Sequence, residues 1–324
     1  MRVACIGGGP GGLFTAILLK AGSLADEVTV YERNGPDDTF GFGIVFSDET
    51  FDNVEVADPV VVAAVAREFR RWEEIDILFK GRRWHSVGHG FQAMPRLRFN
   101  QLLAERASAL GVDLRFNSQV TLEDVGEADL IVAADGANSD VRTRLADTFQ
   151  PHVEPGKARY AWFGTPHLFD SFTFIFEETP HGIVQAHCYP YSDRMSTLIV
   201  ETDDDTWHRA GLDNSADRYA APGETDEGAR AFTEKLFGKY LNGSGVVGNN
   251  SKWVRFPRIS NRCWHSGNVV LLGDALHTAH FSIGSGTKLA MEDSIALTDA
   301  LAEADSVADA LAAYEESRRP EVES

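Results

Sequence analysis

Residues 1–32 read MRVACIGGGPGGLFTAILLKAGSLADEVTVYE, and the rest of the chain is organised around them. A short apolar run, Val3 to Ile6, leads into Gly7-Gly8-Gly9-Pro10-Gly11-Gly12. An apolar helical stretch follows, Leu13 to Lys20, and then a second strand, Val28 to Tyr31, ending in Glu32. Strand, glycine turn, helix, strand and acid in this order make up a dinucleotide-binding βαβ unit. Gly7 permits the tight turn, Gly9 lets the backbone approach a pyrophosphate, and Gly12 lets the helix pack close to the strand. The helix N-terminus offers free N–H groups and the positive end of its dipole to the phosphates. Glu32 lies 20 residues beyond Gly12, where a carboxylate accepts hydrogen bonds from ribose hydroxyls and disfavours a 2′-phosphate. A glycine turn alone is weak evidence in a chain with 29 glycines; the agreement of strands, helix and acid gives this one weight. The segment does not read as a secretory signal, because it has one early charge, Arg2, and glycines interrupt its apolar core.

The 324 residues suffice for a large core and for two domains sharing an interface. With 43% hydrophobic and 24% charged residues the composition is that of a soluble globular protein, and no apolar run approaches the ~18 residues needed to span a bilayer. A net charge of −19 argues against nucleic acid as a partner. It does not exclude an anionic small ligand, which responds to local charge. Cys5, Cys188 and Cys263 are scattered without CxxC spacing, so neither a disulfide framework nor a zinc site is expected, and a reducing cytoplasm is the default location.

After Glu32, Arg33-Asn34-Gly35-Pro36 is a turn, and Thr39 to Ser47 reads as a loop with glycines among aromatics. That loop either passes close to something flat or is simply flexible. Asp58 caps a helix opened by Pro59 and expected to run from Val60 to Trp72. Its Arg67, Arg70 and Arg71 form a solvated face or meet a phosphate-bearing substrate. Ile75 to Phe79 is a strand, and Gly81 to Trp84 form the turn into its partner. Arg96 precedes a helix from Leu97 to Leu110 ended by Gly111. Val112 to Phe116 and Asp129 to Ala133 are strands, the second buried and parallel by its purely apolar run. Asp135-Gly136 sits just past its C-terminal end, where open α/β sheets bind ligands, and Ser139 or Asp140 caps the next helix.

From Tyr160 to Glu201 the pattern changes to short β-rich runs with turns between them, an antiparallel sheet. A helix is expected near Glu227 to Tyr240. Apolar parallel-strand character returns at Val269 to Leu272, followed by Gly273-Asp274 and a glycine-rich turn, Gly284-Ser285-Gly286-Thr287-Lys288, that opens a helix. The expected fold class is therefore α/β: a Rossmann-like binding domain, discontinuous over 1–154 and 259–324, with an inserted antiparallel β-sheet substrate domain over 155–258.

Together these stations resemble the class A flavoprotein monooxygenases, the aromatic hydroxylases related to p-hydroxybenzoate hydroxylase, over essentially the whole chain. Gly7 to Gly12 with Glu32 matches the FAD fingerprint, and Asp135 to Ser139 with Arg142 matches the DG motif. Gly273-Asp274 through Gly286 matches the GD motif, whose aspartate contacts the ribityl chain, and Arg96 matches the arginine of the ribityl-phosphate region. The cofactor-binding set that the resemblance implies is Gly7, Gly9, Pro10, Gly11, Gly12, Glu32, Arg33, Arg96, Val120, Asp135, Gly136, Gly273, Asp274, Gly284, Ser285, Gly286 and Thr287. Two departures, His280 where the family has proline and Lys288 where it has asparagine, are similar to the branch of salicylyl-CoA and anthraniloyl-CoA 5-hydroxylases. So are the stretches Phe40 to Ser47 and Phe174 to Gly182. The tryptophan hydroxylase of violacein biosynthesis is also similar. The chain stops inside what looks like the family's long C-terminal helical region, so truncation is expected.

The resemblance implies bound FAD, transient NADH or NADPH, and O2 as co-substrate, with 5-hydroxylation of an aryl-CoA through a C4a-hydroperoxyflavin. A free aromatic such as tryptophan, or FAD reduction without oxygen chemistry, are the alternatives. Candidate catalytic residues are His280, Lys288 and His187, and candidate substrate-binding residues are Phe42, Val45, Phe46, Tyr189 and His280. The histidine beside the glycine turn could equally bond a backbone carbonyl, and His187 could be an ordinary sheet residue. His277 and His280 have a ligand-like spacing but no third ligand, so no metal is expected. The implied partner is a small aromatic molecule, as a CoA thioester in this branch, with no nucleic acid and no membrane.

Overall fold

The computed structural model describes residues 1–48, 50–214, 223–279 and 286–323. Among these residues the strands form three sheets. The first has six strands in the order β16 (His265–Ser266), β17 (Val269–Leu271), β9 (Leu130–Ala133), β1 (Arg2–Ile6), β2 (Glu27–Tyr31) and β8 (Asp113–Arg115). All neighbours are parallel except β16 with β17. Helix α1 (Pro10–Ala21) packs against α4 (Arg96–Ala109) and α9 (Gly286–Glu303), and α9 packs against α10 (Val307–Glu323). Phe14, Ile17, Phe99, Leu103, Val132, Leu271, Met291 and Tyr314 fill the core between these helices and the sheet.

The second sheet has eight strands. Seven run in the order β14 (Val247–Gly248), β10 (Pro151–Thr165), β13 (Ser196–Asp203), β12 (Gly182–Pro190), β11 (Phe172–Thr179), β5 (Ile75–Phe79) and β6 (Arg82–Ser86), and β15 (Val254–Asn261) also pairs with β10. Residues 75–86 thus join the inserted segment's sheet, and β10 and β15 extend it to 151 and 261. Successive side chains on a strand face opposite ways. One face, with Phe163, Ile175, Val184, Ala186, Leu198 and Val200, packs on Ala229 and Phe237 of α8 (Glu227–Phe237). The other carries Tyr160, Trp162, Phe174, His187, Tyr189 and Glu201. The third sheet is β3 (Gly43–Ser47), β7 (Phe91–Pro95) and β4 (Arg70–Trp72). Trp72, Ala93, Phe172, Tyr189 and Tyr191 pack it against the second sheet. The remaining helices are α2 (Thr50–Ala57), α3 (Pro59–Ala66), α5 (Asp140–Arg144), α6 (Ala146–Phe149) and α7 (Asp204–Arg209).

Two local expectations are corrected. The helix opened by Asp58 ends at Ala66, and Arg70 to Trp72 form β4, paired with β7 from Arg70↔Ala93 to Trp72↔Phe91. Phe69 and Trp72 keep the helical spacing set by Val61 and Val65, but the chain turns after Ala66 and the ladder to β7 satisfies the backbone of Arg70 to Trp72 instead. The supposed loop over 39–47 is a strand from Gly43, in five-residue register with β7. Its alternation is hidden because Ile44, Val45 and Phe46 are all apolar while only Ile44 and Phe46 enter the main core. The Asp58 cap holds, since its side chain accepts from Val61 N at 2.9 Å and also meets Arg106 at 2.9 Å. No helix among the described residues is long and apolar enough to cross a membrane.

Candidate cofactor and substrate site

The glycine-bearing turns leave three adjacent parallel strands at the same edge of the first sheet. Ile6 and Leu271 both pair with Ala133, so Gly7, Asp135-Gly136 and Gly273-Asp274 follow one another across β1, β9 and β17. Carboxyl ends of parallel strands are where such sheets bind ligands.

The first turn is closed by backbone and by Glu32. Gly7 takes φ +112° and donates its N–H to Tyr31 O at 2.8 Å. The Glu32 carboxylate accepts from Gly8 N and from Asn34 N, each at 2.8 Å. A side chain at Gly12 would bring its Cβ within 2.0 Å of Gly7 O, whereas one at Gly9 would meet no protein atom within 4 Å. Packing therefore requires the glycine at 12, and open space lies over the one at 9. Pro10 occupies the first turn of α1 with Gly9 as its cap, and Gly11 is held against Leu272, 2.6 Å from its would-be Cβ. Arg33 is exposed in the turn after β2, and Val120 packs, partly buried, on the main core.

At the second turn, Asp135 Oδ2 accepts from Asp140 N at 2.8 Å, while its Oδ1 is buried without a protein partner. Gly136 has φ +82° and open space at its Cβ position. Ser139 caps α5, and Arg142 ties the second turn to the third through Ala137 O and Ala275 O. Burial pulls the Arg142 guanidinium down from its ordinary pKa, against the pull of Asp135.

At the third turn Gly273 has φ +62°. Asp274 is accessible from the cleft, yet the protein packed around it desolvates its carboxyl and raises its pKa. Arg96 and His277 oppose that rise. Gly286 and Thr287 begin α9, with the Cβ position of Gly286 4.0 Å from Asp274 Oδ1. Lys288 faces Glu292 one turn on, at 3.8 Å. His280, Gly284 and Ser285 lie outside the described residues.

Arg96 bridges the halves of the cleft. Its backbone N donates to Phe42 O at 2.8 Å, and its guanidinium lies 4.3 Å from the Phe40 ring centre. Burial lowers its pKa, while Asp274, Tyr160 and Tyr189 raise it, and its buried Nε has no protein partner. The open space at Gly9 and Gly136, together with the unpartnered Asp135 Oδ1 and Arg96 Nε, fits a ligand offering both anionic oxygens and hydroxyls. The phosphates and ribityl chain of FAD have that chemistry.

Across the cleft, the face of the second sheet supplies aromatic surface with one polar strip. Tyr189 OH donates to Gly43 O at 2.8 Å, and its ring stacks on Trp72. Phe42 packs over Gly164, and Val45 joins the Trp72–Tyr189 cluster. Phe46 points the other way, into the main core among Phe51, Phe69 and Phe99, on the far side of β3 from Val45. His187 is buried edge-on to Phe174 and bonds Glu201 Oε2 through Nε2 at 3.1 Å. Burial raises the Tyr160 phenol to about 12, countered by Arg96.

Several site groups escaped the sequence reading. Glu201 and Tyr160 become neighbours only through strand register. Beneath the third turn, Asp293 is fully buried and accepts from Gly273 N at 3.2 Å, His277 Nε2 at 2.8 Å and Arg318 Nε at 2.9 Å. Arg318 also reaches Glu292 at 2.8 Å. His277, half of the metal-like spacing, is thus bonded to a carboxylate. Among the described residues no group of three or more His, Cys, Asp or Glu side chains could hold a metal ion.

The chain belongs to the FAD binding domain family, whose model matches residues 1–324. It is 51% identical over 325 residues to a salicyloyl-CoA 5-hydroxylase from Streptomyces sp, covering all of this chain and 63% of that protein. It is 36% identical to a 3-hydroxy-4-methyl-anthranilyl-[aryl-carrier protein] 5-monooxygenase from Streptosporangium sibiricum, covering all of this chain and 85% of the relative. In fold it matches the tetrameric form of 2-methyl-3-hydroxypyridine-5-carboxylic acid oxygenase with a TM-score of 0.78 at 23% identity, over 99% of this chain and 88% of the other. The p-hydroxybenzoate hydroxylase-like architecture expected from the sequence is the one found.

Proposed function

We propose that this chain is the FAD-holding and substrate-facing part of an aromatic ring hydroxylase that uses NAD(P)H and O2 to 5-hydroxylate salicyloyl-CoA or a closely related aryl thioester. The observation that carries this reading is the 51% identity to the salicyloyl-CoA enzyme along the whole chain, on a framework whose three glycine turns converge at one sheet edge. This chain spans less than two thirds of that relative's length.

When bound, FAD supplies the reducing and oxygen-transferring chemistry. The protein's residues do the rest. The N-terminus of α1 and the backbone around Gly9 hold the pyrophosphate. Glu32 receives the adenosine ribose hydroxyls. Asp274 receives ribityl hydroxyls, and Arg96 brings positive charge to the phosphate and ribityl region. Gly286, Thr287 and the start of α9 direct N–H groups toward the flavin. Phe42, Val45, Trp72 and Tyr189 give the substrate ring an aromatic wall and exclude water, and His187 supplies a titratable group on that wall. Lys288, facing Glu292, adds a positive charge at the start of α9. The use of NAD(P)H and a CoA ester accords with a cytoplasmic setting and with free cysteines.

The test is oxygen-coupled NADH oxidation by the FAD-loaded chain with salicyloyl-CoA, free salicylate and tryptophan in parallel. Stimulation by the thioester alone, with a 5-hydroxylated product, supports the reading. Stimulation by a free aromatic alone, or by none of the three, overturns it.

A further inference from the structure

Strand register lays two rows of side chains across the cleft-facing side of the second sheet, from its middle to its edge. One row is Ile199 on β13, His187 on β12, Phe174 on β11, Ile77 on β5 and Trp84 on β6. The other is Glu201, Gln185, Phe176, Phe79 and Arg82 on the same strands. Ile199 and His187 are buried and Phe174 is half-buried, whereas Ile77 is 39% and Trp84 47% exposed. His187 lies edge-on to Phe174, and Phe79 lies edge-on to Phe176, so apolar surface runs from the substrate wall to the outer hairpin.

Scattered exposed apolar residues are ordinary, but Ile77 and Trp84 are cross-strand neighbours beside half-buried Phe79, Phe174 and Phe176. Trp84 stacks on no other ring among the described residues, and Arg82 is exposed there with no hydrogen bond or ion pair. The other charges of the hairpin are taken up. Lys80 pairs with Glu178 at 2.8 Å, while Arg83 and His85 project to the opposite face, where both bond Asp76. At the inner end, Glu201 is held by Gln185 at 2.8 Å and His187 at 3.1 Å. In a chain of net charge −19, an unpaired guanidinium at the end of an aromatic track gives an anion a local attraction that the molecule as a whole denies it.

We propose that this strip is the subsite for the CoA part of an aryl-CoA substrate, with the pantetheine arm over Phe174, Phe176, Ile77 and Phe79, the adenine on Trp84 and a phosphate on Arg82. This rests on the aryl-thioester reading above. The lengths agree. From β12, which carries His187, to β6 there are three strand spacings, about 14 Å. The arm from thioester sulfur to pyrophosphate has the backbone length of about four extended residues, roughly 14 Å. Its methylenes and paired methyl groups cover apolar side chains, the aryl ring stays at the buried end, and the phosphates remain in water at the edge. Adenine offers a π-face to an exposed indole, and a guanidinium makes charge-assisted hydrogen bonds to phosphate oxygens. A free aromatic acid reaches none of these outer contacts, so the strip selects the thioester over the acid.

The experiment measures binding to the FAD-loaded, oxidised chain without reductant, by calorimetry with salicyloyl-CoA, CoA and salicylate. Trp84→Ala is expected to weaken salicyloyl-CoA and CoA about tenfold, within the range of base stacking on an aromatic side chain. Trp84→Phe keeps a ring and should recover most of that loss. Arg82→Ser should weaken both ligands about fivefold at low salt and less as salt rises. Salicylate and FAD affinity should not change in any of these. Arg83→Gln removes the same charge from the opposite face and should leave thioester affinity as it is; an equal loss there overturns the Arg82 contact. Thioester affinity that is the same in wild type, Trp84→Ala and Arg82→Ser overturns the subsite and leaves the hydroxylase reading intact. So does sedimentation showing that Trp84→Ala separates two copies of the chain without changing thioester affinity, which assigns the strip to self-association. A wild type that binds salicylate but no aryl thioester overturns the thioester reading together with the subsite.

Discussion

Gly9 and Gly12 stand three residues apart in one turn, and the structure gives them opposite jobs, so replacing each with alanine separates cofactor binding from folding. At Gly12 the new Cβ would sit 2.0 Å from Gly7 O, where ordinary contact begins at 3.4 Å. Backbone lies on both sides of that contact, and no flexible side chain can swing away, so the turn and helix must part by about 1.4 Å, the difference of those two distances. Overpacking of this kind costs roughly 1–3 kcal/mol, and a backbone neighbour places it at the upper end. Gly9 has φ −75° and ψ 179°, ordinary extended backbone, and nothing within 4 Å of its Cβ position. Alanine there loses roughly 0.5–1 kcal/mol as a poorer helix cap and regains about 0.4–1 kcal/mol through a stiffer unfolded chain, for a net change near zero. The assays are urea unfolding of the FAD-free protein and FAD titration by flavin fluorescence. Gly12→Ala should lose about 3 kcal/mol of apo stability. Gly9→Ala should leave apo stability within about 0.5 kcal/mol and weaken FAD by about tenfold or more, equivalent to about 1.4 kcal/mol. Gly9→Ala protein that binds FAD like wild type, or loses as much apo stability as Gly12→Ala, would refute the assignment of open space at Gly9 to the pyrophosphate.

Three further outcomes are expected. Arg318→Met strips fully buried Asp293 of its guanidinium, leaving it only Gly273 N and His277 Nε2, and leaves half-buried Glu292 with Lys288 alone, which should cost about 3 kcal/mol in denaturant unfolding and weaken FAD through the Gly273 turn; a loss below about 1 kcal/mol contradicts the network. Asp76 is buried, which raises its carboxyl, but hydrogen bonds from Arg83, Ser171 and His85 outweigh that and hold it at about 2. Its contribution, about 2 kcal/mol, is therefore complete above the ordinary carboxylate range and disappears as pH falls from about 4 to 2. Asp76→Asn should lower stability at pH 7 and flatten the unfolding profile across that acid window. Burial raises the Cys5 thiol to about 12 and the Cys188 thiol well above its usual value. A thiol reagent at pH 8 should thus modify the half-buried Cys263 alone in the native protein and all three cysteines in denaturant.

What the sequence carried was the set of features written locally. Residues 2–32 fold as the strand, turn, helix and strand that their pattern implies, with Gly7 at positive φ and Glu32 on the Gly8 amide. The Asp58 and Ser139 caps and the runs after Asp129 and Asn268 were equally legible, because caps and apolar runs act over a few residues. What it hid depends on pairing between distant segments. Nothing in Ile75 to Phe79 says that it lies parallel to Phe172 to Phe176. Nothing near Glu201 says that a hairpin will set it against Gln185 and His187, or that Tyr160 will arrive from β10. Asp293 lies in a helix where a buried carboxylate has no sequence signal, and its partner Arg318 comes from the next helix.

Gly43 explains how two sheets with separate tasks keep one geometry. Its N–H donates to Thr197 Oγ1 at 3.2 Å, and its carbonyl accepts from Tyr189 OH at 2.8 Å, so both of its backbone groups are held by the second sheet. A Cβ on it would fall 2.3 Å from Tyr191, so the contact exists only because the residue is glycine. Just before it, Phe42 O accepts the amide of Arg96, whose charge is felt by both Asp274 at the glycine-turn edge and Tyr160 on the second sheet. The pair Phe42-Gly43 therefore fixes, within two residues, the distance from the wall that carries His187 to the glycine turns proposed to contact the flavin. A reaction between bound flavin and a separately held ring depends on that distance, because misplacement by about 1 Å can cost on the order of a hundredfold in rate. Backbone clamps and an arginine set it here, and these pairings between distant segments are what neither segment's own sequence announces.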